Sequence, residues 1–315
     1  AASDVYKRQI LNALIPICSS YLRAFGFSKE PLYASIIGNV INFCLNAFFL
    51  FVLHKGVAGV ATATVISRII NLVIVVLLGA VLVKAKQHPE RESNRAVMGQ
   101  IIRIGLPSAC ETAIYNVSMT LVIRFLNQMD AQGLNVTARS YTMQITNFSY
   151  CVGAALAQAN AIMTGWHIGA KEYDACDRGT KKAAVIGVIV AVILETVFTL
   201  CSGWIMQLFS KDPQMVSLVG KLLAIDIVLE IGRVTNLVYG QALKTSGDAV
   251  FPVVMGVCFM ILCSVGGTYL FGIRLGLLAV GAYIGMAGDE CVRAIGMYLR
   301  WKSGKWKEKG LVKSR

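Results

Sequence analysis

The chain has 315 residues, of which 56% are hydrophobic and 15% charged, and its mean hydropathy is +0.63. Soluble domains carry about 25% charged residues, and one soluble core stops growing near 250–300 residues, so these figures exclude a soluble domain, disorder, collagen-like repeats and a secreted disulfide scaffold, and point to a polytopic membrane protein. A net charge of +13 would suggest nucleic acid in a soluble protein, but the basic residues follow a membrane pattern instead.

Residues 1–9 (AASDVYKRQ) differ from everything that follows and are expected to be a foreign or truncated junction; they do not resemble a signal peptide. Nine apolar stretches come next: 10–26, 31–53 and 57–84, then, after a polar linker at 85–100, 101–127, 139–165, 182–209, 215–243, 249–271 and 275–300, followed by a basic tail at 301–315. They far exceed a barrel strand of about 9–11 residues and lack period-2 alternation, so each is expected to be a helix that satisfies its own backbone in lipid. Alternate loops fall on opposite sides. One side collects Arg23, Lys84, Lys86, Arg91, Lys171, Arg178 and the tail, against Lys55, Arg139, Lys211 and Arg274 on the other. This bias predicts a multi-pass protein of the cytoplasmic (plasma) membrane, with linker and C-terminus cytoplasmic, and leaves no need for nucleic acid. Trp166, Trp204, Trp301 and Trp306 sit near span ends and read as interfacial anchors, and the tail reads as a solvated topogenic segment.

Ionisable residues inside spans are costly and are functional candidates by default. In chain order, Arg68 and Arg124 are single cations, each expected to partner an acid on a neighbouring helix. Glu111 follows the kink residue Pro107, with Tyr115 and Asn116 supplying further oxygens; it is a candidate to bind a hard cation or a proton, or else it snorkels to the interface. The fifth span is rich in small residues and carries Gln158, which suits a cavity-facing helix. Glu195 sits mid-span without a local base. In the seventh span Asp226, Glu230 and Arg233 share one helical face, with Asn236 near it; the arginine neutralises one acid and leaves the other for a cation or proton. Asp289 and Arg293 form an i,i+4 pair that reads as structural.

Other chemistries are weakly supported. The nine cysteines contain no CxxC and the three histidines are isolated, so no transition-metal or redox site is expected. The cysteines read as small buried hydrophobes. Asp174 and Asp177 read as a solvated loop rather than a magnesium-diphosphate site. With no phosphate-binding loop, HExxH or serine–histidine pair at membrane depth, an enzyme is not indicated and no cofactor is expected.

A weak internal repeat runs through the chain. LRAFGFSKEP matches LKTSGDAVFP with a constant spacing of 221 positions (22 and 243, 26 and 247, 31 and 252), and Gly56 pairs with Gly276. The spacing counts six spans, an even number, so both units keep one orientation about a pseudo-two-fold along the membrane normal. On this reading roughly 120 residues, enough for three helices, would precede Ala1, and the chain holds nine of twelve spans.

Taken in order, SSYLRAFG (19–26), GVAGVATATVISRIINL (56–72), IGLPSACE (104–111), MTGWHIGAKEYDACDRGTKKA (163–183), LLAIDIVLEIGRVTNLV (222–238), ALKTSGD (242–248) and RWKSGKWK (300–307) resemble the MATE family of multidrug and toxic-compound extrusion antiporters. The resemblance implies an all-α membrane fold of two six-helix lobes. Residues 10–84 would be the last three helices of the N-terminal lobe and 101–300 the C-terminal lobe. It also implies export of amphipathic, often cationic compounds in exchange for Na⁺ or H⁺, by a protein that is monomeric in its complete form. Family members place functional acids in the helices of Glu111 and of Asp226 and Glu230. Two alternatives stay open: a flippase of a lipid-linked saccharide on a related fold, and an inactive transporter fragment.

Overall fold

A computed structural model describes the backbone of residues 2–84, 94–130 and 132–309, all helical or in turns, with no strand among the described residues. The side chains of the 1–9 segment, residues 85–93 of the linker and 310–315 of the tail lie outside the described residues. The helices are α1 (Ala2–Ala24), α2 (Lys29–Ala47), α3 (Gly56–Lys84), α4 (Asn94–Met129), α5 (Leu134–Gly169), α6 (Tyr173–Leu200), the short α7 (Ser202–Gln207), α8 (Pro213–Thr245), α9 (Val250–Phe259) and α10 (Leu278–Lys302). Helices α2 and α9 continue as π-helix, over Phe48–Val52 after α2 and over Met260–Val265 and Thr268–Arg274 after α9.

Each of the nine apolar stretches corresponds to one rod, with informative departures at the ends. Helix α4 takes in 94–100 of the expected linker, and α6 starts at Tyr173, so Asp174 and Asp177 lie on its first turns and not in a loop. Hydropathy marks only the part of a helix that faces hydrocarbon; polar turns beyond it remain helical because water satisfies their free groups. The stretch at 182–209 breaks at Cys201, after which Ser202 and the helix-weak Gly203 open α7.

The chain divides into two compact units, residues 1–92 and 93–315. In the first, α3 packs against α1 and α2, and Leu22, Ala34, Val75 and Val83 are buried. In the second, α8 is the central rod, packed against α5, α6 and α10. Its start is set by Asp212, whose carboxylate accepts from the Gln214 amide at 2.9 Å just ahead of Pro213 at the first helical position.

The sequence repeat is matched by repeated backbone devices. Helix α1 ends with Gly26 N–H donating to Arg23 O and Phe27 N–H to Leu22 O; α8 ends with Gly247 N–H donating to Lys244 O and Asp248 N–H to Leu243 O. Both are Schellman caps, and both glycines take the left-handed conformation, at φ +88° and +91°. The two π-helical exits match as well: Leu53 N–H donates to Phe48 O and Lys55 N–H to Phe49 O, as Leu275 N–H does to Leu270 O and Leu277 N–H to Phe271 O.

The tail, expected to be solvated, folds back on the core over 301–309. Trp301 and Trp306 are buried and stacked at 4.1 Å; Trp301 Nε1 donates to Asp177 Oδ1 at 2.9 Å and Trp306 Nε1 to Trp301 O. These two tryptophans are therefore core residues, while Trp166 and Trp204 remain exposed as anchors would be. An indole at a chain end can fold back when its N–H finds an acceptor, as both do here. The cysteines depart from expectation in a similar way. Only Cys176, the one in a polar stretch, is buried, while Cys44, Cys110, Cys151, Cys201 and Cys258 are exposed.

Asp248, in the turn after α8, is clasped by Arg300 Nε at 2.7 Å and Lys309 Nζ at 2.6 Å. Burial pushes its carboxyl upward, but the two cations outweigh burial and hold it below the usual carboxylate range. A depressed carboxylate contributes stability above its unfolded pKa of about 3.9 and loses it as pH falls through the folded value. Asp248→Asn is expected to cost about 1–3 kcal/mol near neutral pH. In pH-dependent thermal unfolding, the gap between wild type and variant should shrink as pH drops below about 4; a gap independent of pH would contradict the clasp.

Candidate functional site

Unit 93–315 encloses a cavity of about 490 Å³, walled by α4, α5, α8, the α9 rod and α10. Its wall is charged. Glu111, Asp226, Asp289 and Glu290 supply acids, and Arg139, Arg233, Lys244 and Arg293 supply bases. Among the described residues, 29–52, 56–83, 173–200 and 250–274 are long and apolar enough to cross a membrane by composition. The other long rods of this unit carry the polar wall.

Behind the cavity lies a second feature. Glu195 on α6 meets Asp226 and Glu230 on α8, with one carboxylate oxygen of each within 4.8 Å of the others. All three are buried. Both oxygens of Glu195, Oδ2 of Asp226 and Oε2 of Glu230 have no hydrogen-bond partner among the described residues. Ser149 Oγ on α5 is buried beside Glu195. The +4 spacing of Asp226 and Glu230 puts both on the face of α8 that meets α6, and Gly187 lets α6 approach Val234 closely. Arg233 is the base nearest this cluster. It donates to Glu230 and also lies 3.7 Å from Glu290, so it is shared.

The other expected residues divide clearly. Glu111 lines the cavity and is paired with Lys244 Nζ at 2.7 Å, while its side chain packs on Gly256. Tyr115 lines the cavity, and Asn236 lines it with Nδ2 donating to Glu290 Oε2 at 3.0 Å. Asn116 is exposed and turns its amide onto Thr112 O, and Gln158 is exposed; neither lines the cavity, because a 100° step per residue carries them past the inner face. Arg68 and Arg124 are exposed and have no acid partner among the described residues, contrary to expectation. Exposed faces of a span can hold an arginine whose stem lies along the apolar surface and whose head reaches the interface. Asp289 and Arg293 pair at 3.0 Å as expected, but they also join a wider network through Ser264 and Glu290.

Glu290, Lys244 and Arg139 were not foreseen as site residues. Glu290 had a legible signal, its i,i+3 spacing to Arg293. The charge pattern places Arg139 in a loop, yet it lies in α5 and is 7% exposed. Its signal is the polar stripe Arg139, Thr142, Thr146 and Ser149, spaced 3, 4 and 3 and buried throughout. Nothing local marks Lys244, whose partner is 133 positions away.

Comparison with known proteins is consistent over nearly the whole chain. The protein-family profile MatE matches residues 107–270. The chain is 33% identical over 308 residues to the uncharacterized transporter YisQ of Bacillus subtilis, covering 96% of this chain and 67% of YisQ. It is 21% identical to the probable multidrug resistance protein NorM of Thermotoga maritima, covering 95% and 65%. It thus spans about two thirds of the length of these relatives. Among solved structures, a MATE in the straight conformation superposes with TM-score 0.85 at 19% identity, covering 98% of this chain and 70% of that one. The MATE transporter ClbM in complex with Rb⁺ gives 0.80 at 17% identity, covering 94% and 66%.

Proposed function

The chain belongs to the MatE family, whose members are multi-pass membrane transporters and not enzymes, and from that premise we propose that it exports small amphipathic organic compounds in exchange for a cation taken up at Glu195, Asp226 and Glu230. The observation that carries this reading is the set of unpartnered oxygens on three buried carboxylates. Three carboxylates this close, buried opposite one shared arginine, leave the site short of positive charge. The cluster must take up positive charge. Carboxylate and hydroxyl oxygens are hard donors, which suits Na⁺ or a proton and disfavours the softer transition metals. The related transporter ClbM was solved with Rb⁺, which supports a monovalent cation as the occupant.

Coupling follows from the shared arginine. A cation among the three acids competes with Arg233 for Glu230. Arg233 then turns to Glu290, which also binds Arg293 and Asn236 at the cavity wall. Cation uptake and the cavity's charge pattern are thereby linked through one side chain, so ion binding biases which conformation of the transporter is populated. Glu111, tied to Lys244, contributes to the cavity rather than to the ion cluster. The linker and C-terminus face the cytoplasm on the basic-residue bias, and the complete protein acts as a monomer.

The test is reconstitution in liposomes loaded with a fluorescent organic cation, with Na⁺ and proton gradients imposed separately. Dye should move under at least one gradient, and the effective gradient identifies the coupling ion. Equal, slow leakage under both and under neither would overturn the reading.

A further inference from the structure

The cavity contains a cation that none of its acids neutralises. Lys244 is tied to Glu111, Arg233 to Glu230 and Glu290, and Arg293 to Asp289 and Glu290. Arg139 has no carboxylate within ion-pair distance among the described residues; its Nη2 reaches only Met119 Sδ at 3.6 Å, and its buried Nε has no partner. A guanidinium stays charged at any working pH and offers five N–H donors in a flat fork. Burying one to 7% exposure without an acid is costly, and its head lies in the cavity wall. Met119 is a weak acceptor and does not repay that cost. Asp226 carries the complementary vacancy, at 2% exposure with Oδ2 unpartnered.

We infer that Arg139 is an oxyanion-recognising subsite that holds the carboxylate of a substrate, so that the exported compounds include amphipaths bearing an acidic group as well as a cationic or aromatic body. This rests on the export reading above and sharpens it, since lipophilic cations alone would leave Arg139 repelling its ligand. A carboxylate matches the fork bidentately, and apolar Met119, Met143, Leu229 and Met286 on the same wall suit the body of such a molecule.

The test uses two rhodamine dyes with one xanthene cation, one carrying a free carboxylate and the other its methyl ester. Binding to the 315-residue chain in phosphatidylcholine nanodiscs is read by fluorescence polarisation. Arg139→Gln should weaken the free-acid dye roughly tenfold or more and leave the ester within about twofold, with Arg139→Lys intermediate for the acid. Thermal unfolding identifies a variant that has lost its fold; in that case the wild-type preference for acid over ester decides the matter. Equal losses for both dyes, or none for either, would overturn the subsite. Phosphate of an anionic lipid offers the same chemistry. If phosphatidylglycerol weakens acid-dye binding in wild type but not in Arg139→Gln, the guanidinium serves lipid and the substrate assignment fails. A wild type that binds the ester and not the acid overturns this inference alone, whereas one that binds neither overturns the export reading with it.

Discussion

Replacing Asp226 with Asn is expected to abolish ion-driven dye efflux while leaving the protein at least as thermally stable as wild type. Asp226 is the one member of the buried carboxylate cluster that also lines the cavity. Its amide isostere keeps the shape and removes the charge. Losing one of three carboxylate ligands should weaken cation uptake by roughly tenfold or more, since charge-assisted contacts are about twice as strong as neutral ones. Folding responds in the opposite sense. Burying an unpaired carboxylate costs stability, and replacing it with a neutral group of equal size relieves repulsion from Glu195 and Glu230. Efflux from proteoliposomes and thermal unfolding of the same preparation are the two readouts. Wild-type efflux in Asp226→Asn and in Glu230→Gln would sink the coupling cluster. Lost efflux together with a large drop in melting temperature would assign the aspartate a structural role.

Gly232→Ala is expected to destabilise the helical core by about 1–3 kcal/mol or more and to impair transport with it. Gly232 sits where α8 crosses α10. A Cβ there would lie 2.7 Å from Cys291 N and 2.8 Å from the carbonyl carbon of Glu290. Those are backbone atoms in the middle of a packed helix and cannot rotate aside, so the two rods must separate. Glu290 is displaced with them, and its carboxylate is the link between Arg233, Arg293 and Asn236. Gly288→Ala is the control. It lies on the same helix α10, is exposed, and has open space where the methyl would go. There the substitution should stabilise by about 0.5–1 kcal/mol through helix propensity. Opposite signs for one chemical change on adjacent rods would tie the effect to the crossing. A neutral Gly232→Ala in calorimetric unfolding would refute the close approach.

Much of the fold is legible because membrane insertion writes itself into composition. Long apolar runs and the repeat around Gly26 and Gly247 are each local, and each depends on backbone chemistry that neighbouring residues fully specify. The acids of α8 were legible for the same reason, since Asp226, Glu230 and Arg233 share a face by spacing alone. Asn116 and Gln158 illustrate the limit. A polar residue in a span announces cost but not direction, and a shift of one residue turns a side chain by about 100°. The tail shows the same limit from the other side. WKSGKWK reads as basic and solvated, yet both of its indoles are buried because acceptors on α6 and α10 lie in reach.

A helical membrane protein with an internal repeat and acids at membrane depth is readable from residue order alone, because hydropathy, helical period and caps are local properties. Packing alone brings Glu195 to Asp226 and Glu230, sets Lys244 against Glu111 across 133 positions, and leaves Arg139 without an acid among the described residues. Whether a buried charge is paired depends on which helix packs against it. That is set by the close approaches at Gly187, Gly232 and their like, which a reading along one chain cannot place in space.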